Sequence, residues 1–324
     1  MKKVNEFLKS KLTTSRFVQK LTEEELLEAL EANSTFINDN GEGELKVYFQ
    51  DKYKEYSLTI DCLIHWYITL TVSLLAKYSN FTDGTKNNAG YFTQILFTLT
   101  NNLIALKYLF ENGLDTQAKS VFRNSIELSD LALIVLHDND YFLTHSSPQR
   151  KNWWNPFVSP KNNTLANKAK EIIAELYNRT DSNQGNKKDD SVNSLKKIWD
   201  TIRNGQYEVL SENSHGNYVH NILNAYKLSD DHGNYVPSIG GQKWRNLDRT
   251  LSDICIHQIA SRRHITWTLK LKHNIDLFDN KVLEHRFIFF LDTVLGELLD
   301  KIGEGQSKDY IDIGDNDDDS DSEK

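Results

Sequence analysis

Apolar residues along this chain recur with the period of a helix far more often than with that of a strand. Between residues 54 and 78 they fall at Leu58, Cys62, Leu63, Trp66, Tyr67, Leu70, Leu74 and Leu75, a spacing that predicts one long helix. The β-branched Ile60, Thr69 and Val72 inside it are weaker helix formers but leave the period intact. A second helix is predicted from about Tyr91 to Glu111, where Asn112-Gly113 supplies a C-terminal stop. A third restarts at Asp115 and reaches Leu136, so that the two form an antiparallel hairpin with a very short connection. Thr22 and Glu25, standing before Leu-Leu-Glu-Ala-Leu, have the spacing of a capping box and open a short amphipathic helix. Further helices are predicted over 163–177, 192–202, 244–272 and 281–302. Between them lie a turn at 38–43 and loops at 79–90, 138–162, 180–190 and 228–242.

The expectation is an all-α protein, a bundle of about eight to ten helices built on a central antiparallel hairpin. It reads as one domain over 1–303, with core helices in 43–137, an aromatic loop at 138–162 and C-terminal helices in 163–302. An acidic tail with the composition of a disordered segment follows at 304–324.

Composition sharpens this picture in three places. Only four prolines occur in 324 residues, which favours long helices over a many-turned sandwich. The two cysteines, Cys62 and Cys255, both sit in apolar helical stretches and read as buried free thiols rather than a disulfide or a zinc site. The formal charge of −8 is mostly tail: segment 304–324 has nine acidic and two basic residues, −7, leaving −1 for the rest. The N-terminus has no apolar core of signal-peptide length. Asp61, His65, Asn101, Asn102 and Lys107 interrupt the most apolar segments, which therefore read as core helices rather than membrane spans. These features predict a soluble, cytoplasmic protein that does not enter a membrane.

Candidate chemistry concentrates in segment 113–137. On an ideal helix Arg123, Glu127, Asp130 and His137 lie within about 80° of one another, while Val121, Phe122, Ile126, Leu128, Leu131, Leu133, Val135 and Leu136 occupy most of the circumference. The stripe is either the wet face, with an i,i+4 ion pair of small value, or a buried charge-assisted network able to hold a carboxylate or an anion. His215, beside Gly216 in the segment Ser211-Glu-Asn-Ser-His215-Gly216, is a candidate general acid or base, or a capping or core histidine. Ser57, Asp61 and His65 share a face at i, i+4 and i+8, the pattern of an ordinary helix surface, a satisfied core histidine or an orienting Asp–His pair. Arg245, Arg249, Arg262, Arg263, His264, Lys270, Lys272 and His273 form a basic set spread around one helix and interleaved with Asp248 and Asp253. That distribution reads as a solvated face more than as a nucleic-acid groove.

Walker A, dinucleotide-binding Gly-x-Gly-x-x-Gly, His-Glu-x-x-His and paired Cys-x-x-Cys patterns are absent. So is the short Arg-to-His motif, with four to six residues between, of helical HEPN-superfamily ribonucleases. No cofactor or metal is expected.

Two blocks carry a family resemblance. Gly113-Leu-Asp-Thr-Gln117-Ala118 followed by Arg123-Asn-Ser-Ile-Glu127, and Tyr207-Glu-Val-Leu-Ser211 followed by His215, resemble an uncharacterised group of helical bacterial proteins, the domain of unknown function 5677 family. The resemblance implies that Arg123, Glu127 and His215 converge, and that the protein belongs to a phage-defence or mobile-element setting. The leading expectation is a helical protein acting through protein partners or regulation, with a homo-oligomer among the possible states. The alternatives are a hydrolase or HEPN-like nuclease effector using Arg123, Glu127 and His215, and a nucleic-acid binder using helix 244–272.

Overall fold

A computed structural model describes residues 2–12, 21–34, 51–82, 87–112, 114–138, 165–183, 226–228, 235–237, 247–278 and 282–314. Among these residues the fold is all-α, with eight α-helices packed as a bundle with antiparallel contacts. They are α1 (Lys2–Leu12), α2 (Glu23–Ser34), α3 (Lys54–Lys77), α4 (Asn88–Glu111), α5 (Asp115–His137), α6 (Leu165–Asn183), α7 (Leu247–His273) and α8 (Leu283–Gly314). A 3-10 turn, Ser79–Phe81, follows α3 and drives Phe81 fully into the core.

Helix α3 forms where the apolar period places it, and it is buried without a break from Leu58 to Thr71. It packs against α1, α2, α4, α7 and α8. Its length and apolarity match those of a membrane-crossing helix, yet 89% of its most apolar window is buried inside the bundle. A helix apolar all round needs cover on every side, and here protein supplies it. Two of its buried hydroxyls are satisfied within the helix: Thr59 Oγ1 donates to Glu55 O and Thr71 Oγ1 to Tyr67 O, each at 2.8 Å. That i−4 bond lets threonine enter a core without an orphaned donor.

The predicted hairpin is α4 and α5, which also pack on each other. Helix α4 starts at Asn88, ahead of the predicted Tyr91, because Asn87 caps it by accepting from Gly90 N at 2.7 Å. Leu114 N donates to Leu109 O at 2.8 Å across the connection. The capping box opening α2 forms as expected: Thr22 N donates to Glu25 Oε2 at 2.8 Å and Glu25 N to Thr22 Oγ1 at 3.2 Å. With help from Arg286, that bond holds the Glu25 carboxyl below its ordinary value of 4.5.

Three features go beyond the apolar period. Helix α1 seals one side of the core through buried Leu8, with Phe7 and Leu12 against it, and Lys11 pairs with Glu297 of α8. Tyr226–Leu228 and Tyr235–Pro237 form a small antiparallel strand pair, Tyr226 opposite Pro237. The Asp-, Gly- and Asn-rich composition at 229–234 that reads as loop is equally that of a hairpin turn. Helix α8 continues to Gly314, past the Ile302 boundary set by composition, so the start of segment 304–324 is helical. Extending a formed helix requires no new nucleation, and isolated glycines cost only about 1 kcal/mol each. The turn at 38–43, the aromatic loop apart from Asp138, the 192–202 helix and residues 315–324 lie outside the described residues.

The core buries two histidines deeply enough to hold them neutral, His65 and His264, each pushed down to about 3 chiefly by burial. Below pH 6.5 the unfolded chain takes up protons that these rings refuse, so stability falls with pH until about 3. Denaturant titrations at pH 7 and pH 5 are expected to differ by on the order of 1 kcal/mol per histidine per pH unit below 6.5. His65→Phe should flatten part of that slope. A slope unaltered by this variant contradicts the assignment.

Candidate functional site

The stripe on α5 does not have a single environment. Arg123 Nε and Glu127 Oε1 stand 3.3 Å apart across one helical turn, with side chains 20% and 18% exposed. Asp130, one turn on, is buried at 2%. His137 Nε2 reaches Glu175 Oε2 of α6 at 3.0 Å. The gradient follows packing, since the later turns of α5 are buried continuously from Leu131 to Leu136, where α6 and α7 cover the helix. His215 lies outside the described residues, so the structure brings together Arg123 and Glu127 of the three predicted site residues.

The Ser57–Asp61–His65 face is not wet. Asp61 is 4% exposed and accepts from Lys107 Nζ of α4 at 2.6 and 2.8 Å. Glu111 extends the chain of charges, 3.9 Å from Lys107, and Ser57 Oγ donates to it at 3.4 Å. A pocket of about 270 Å³, counting its open mouth, sits over this group between Tyr53, Tyr56, Ile60, Phe110 and Leu251. Its walls are aromatic and aliphatic, and the polar groups beneath are bonded to one another. His65 is fully buried and packs edge-on to Phe287, ring centroids 6.4 Å apart.

The basic set on α7 is split by the fold. Arg263 and Lys270 are exposed, whereas Arg262 and His264 are buried. Arg262 pairs with Asp292 of α8 and lies over the Trp66 ring, 5.8 Å from its centroid. Burial lowers the guanidinium to about 9, so it stays charged at neutral pH and needs its carboxylate. One helical turn away Tyr67 Oη donates to Gln258 Oε1 at 3.1 Å. His257 stacks edge-on to Phe122 and His264 lies 3.3 Å from Tyr177 Oη. A continuous positive face is therefore not present on the described part of α7.

These partnerships were only partly signalled in the sequence. Asp61 and Lys107 show as charges inside apolar helices, but nothing local pairs them. Arg262 falls in register with Leu251, Cys255, Gln258, Ile265 and Leu269, a four-three spacing that marks the buried stripe. Cys62 and Cys255 are buried free thiols, their pKa values raised by burial. Among the described residues no group of three or more His, Cys, Asp or Glu side chains is placed to hold a metal.

Among the described residues one region of the surface is unusual. On α4 the exposed residues are Gln94, Phe97, Thr98, Asn101 and Tyr108, all uncharged. On α5 the exposed side chains are Gln117, Ser120 and Asn124, again uncharged among those described. Asn102 Nδ2 donates to Asn124 Oδ1 at 2.8 Å and to Ser125 Oγ at 3.1 Å, joining the two stripes. Phe97 and Tyr108 are 44% and 52% exposed.

What the fold defines is a class, an all-α helical bundle. No protein-family model, curated protein or solved structure matches the chain.

The Arg262–Asp292 pair supplies a stability test. Asp292→Ala strands a buried guanidinium and is expected to cost about 3–5 kcal/mol. Arg262→Met combined with Asp292→Leu should recover most of that in chemical denaturation. Equal losses in the single and double variants would mean that the pair is not coupled.

Proposed function

We propose that this chain is a helical interaction protein that acts through protein partners. The observation that carries the reading is the uncharged, aromatic- and amide-bearing face exposed along the α4–α5 hairpin. Interface cores are depleted in charge and enriched in aromatics, and ordinary surface is not. The charged side chains that drew attention in the sequence are committed to partners, Arg123 to Glu127 beside this face and Asp61 to Lys107 in the interior. The bacterial defence or mobile-element setting rests on the resemblance of the 113–127 and 207–215 blocks to the domain of unknown function 5677 family. Arg123 and Glu127 then serve as a structural pair. The nuclease or hydrolase alternative needs His215 beside them in a pocket open to solvent.

The test is a phage-plating assay in a bacterial host carrying the chain with its flanking genes, read alongside melting temperature. Thr98→Lys with Asn124→Lys should abolish restriction at a stability cost of no more than about 1.5 kcal/mol, that of losing the exposed Asn102–Asn124 hydrogen bond. Arg123→Ala should lose no more than about 1 kcal/mol of stability and keep restriction. Loss of restriction in a fully stable Arg123→Ala, with the Thr98/Asn124 variant active, contradicts the interaction reading and favours the enzyme.

A further inference from the structure

We infer that the outward face of the α4–α5 hairpin is a self-association surface and that its occupant is the same face of a second copy; this rests on the interaction reading above and names its partner.

The first argument is charge. Each of the other helices exposes at least one charged side chain, such as Glu6 on α1, Glu23 on α2, Lys77 on α3, Glu171 on α6, Arg263 on α7 and Asp300 on α8. None of the fully exposed side chains described on the hairpin is charged; its charged groups are half-buried, as Lys119 and the Arg123–Glu127 pair are on α5, or turned inward, as Lys107 and Glu111 are on α4. A surface meant for a different protein gains encounter rate and selectivity from complementary charge. A twofold interface sets a patch against itself, so a charge near the axis meets its own like. A face whose exposed side chains are neutral escapes most of that penalty, and the Arg123–Glu127 pair beside it is neutral as a unit.

The second argument is hydrogen bonding. At 100° per residue, Gln94, Phe97, Thr98, Asn101 and Tyr108 lie within about 100° of one another, a single stripe along α4. Its polar members are the amides of Gln94 and Asn101, each both donor and acceptor, and the Thr98 hydroxyl, which donates to Gln94 O and is left as an acceptor. Such groups satisfy one another across a twofold axis with no second chemistry required. Phe97 and Tyr108 flank them with apolar area. The chain outside 304–324 carries only −1, so two bodies approach without strong repulsion.

The size of the face sets the strength. From Gln94 to Tyr108 the stripe is about 21 Å long, and with α5 beside it about 20 Å wide. The footprint is roughly 400 Å² per copy, about half the ~800 Å² per partner of a standard stable interface. The dimer is therefore weak and its population follows concentration.

Light scattering coupled to size exclusion, run on the full chain over a concentration series, tests this. The wild type should rise from one chain mass toward two. Phe97→Lys with Tyr108→Lys should weaken dimerisation at least tenfold with an unchanged melting temperature. Leu271→Lys, a similarly exposed apolar residue on α7, should dimerise as the wild type does. A wild type that holds one chain mass throughout, or a Phe97/Tyr108 variant that dimerises normally, overturns the inference. If the wild type stays monomeric while Thr98→Lys with Asn124→Lys still abolishes restriction in cells, self-association is overturned and the wider interaction reading stands with another partner.

Discussion

Everything in this fold answers to the burial of α3 on all sides. A 24-residue helix enclosed from Leu58 to Thr71 has no water to turn its polar groups toward. Most of them find a protein partner, because an orphaned buried polar group costs about 1–3 kcal/mol and an unpaired charge more; the Trp66 indole N–H has no hydrogen-bond partner among the described residues. Threonine hydroxyls use their own helix. Asp61 takes Lys107 from α4, and Tyr67 takes Gln258 from α7. Those two demands fix the levels at which α4 and α7 lie against the central helix. Apolar contact alone does not choose among registers as sharply, since leucine meets leucine at many offsets.

The same logic explains why α7 carries so many polar residues inward. Ser252, His257, Gln258, Ser261, Arg262, His264, Thr266 and Thr268 are all buried. Thr266 and Thr268 bond to carbonyls one turn back, at 3.0 and 2.8 Å, while Gln258 and Arg262 reach α3 and α8. A buried ion pair is seldom a net source of stability compared with well-packed apolar residues. Its effect in this bundle is positional, tying α7 to α8 at one level and setting the guanidinium on Trp66. The neutral histidines belong to the same inlay: His264 serves as a flat, polar-edged packing unit against Tyr177 and Trp267, 5.7 and 6.1 Å away.

Much of this architecture is legible in the sequence, and the illegible part has a common cause. The ends of α3 and α5 follow from the apolar period without a capping side chain, and the start of α4 from its cap Asn87, because helix boundaries are local. The Thr22–Glu25 capping box is local too, and it forms. Pairings between distant helices are not: Asp61 is 46 residues from Lys107 and Arg262 is 30 from Asp292, and no local pattern joins them. The basic set on α7 reads as one solvated face because charge type is visible while helix phase relative to the neighbours is not. Arg262 and Arg263 are adjacent and identical in chemistry, and one residue of phase separates core from solvent. Of the predicted site, the Arg123–Glu127 pair is local and present, and convergence with His215 depends on the resemblance alone.

With the interior charges committed to partners, the hairpin's exposed side chains are uncharged, and the proposed contact surface rests on them. That reading depends on α3 being the fixed centre on which α4 is mounted, which native-state hydrogen exchange addresses directly. The amides of Leu58–Thr71 are expected to exchange only through global unfolding, with the highest opening free energy in the chain, and those of α4 to follow closely. If α3 amides exchange by local opening while α4 and α5 remain protected, the bundle hangs on the hairpin instead, and α3 is not the element on which the rest depends.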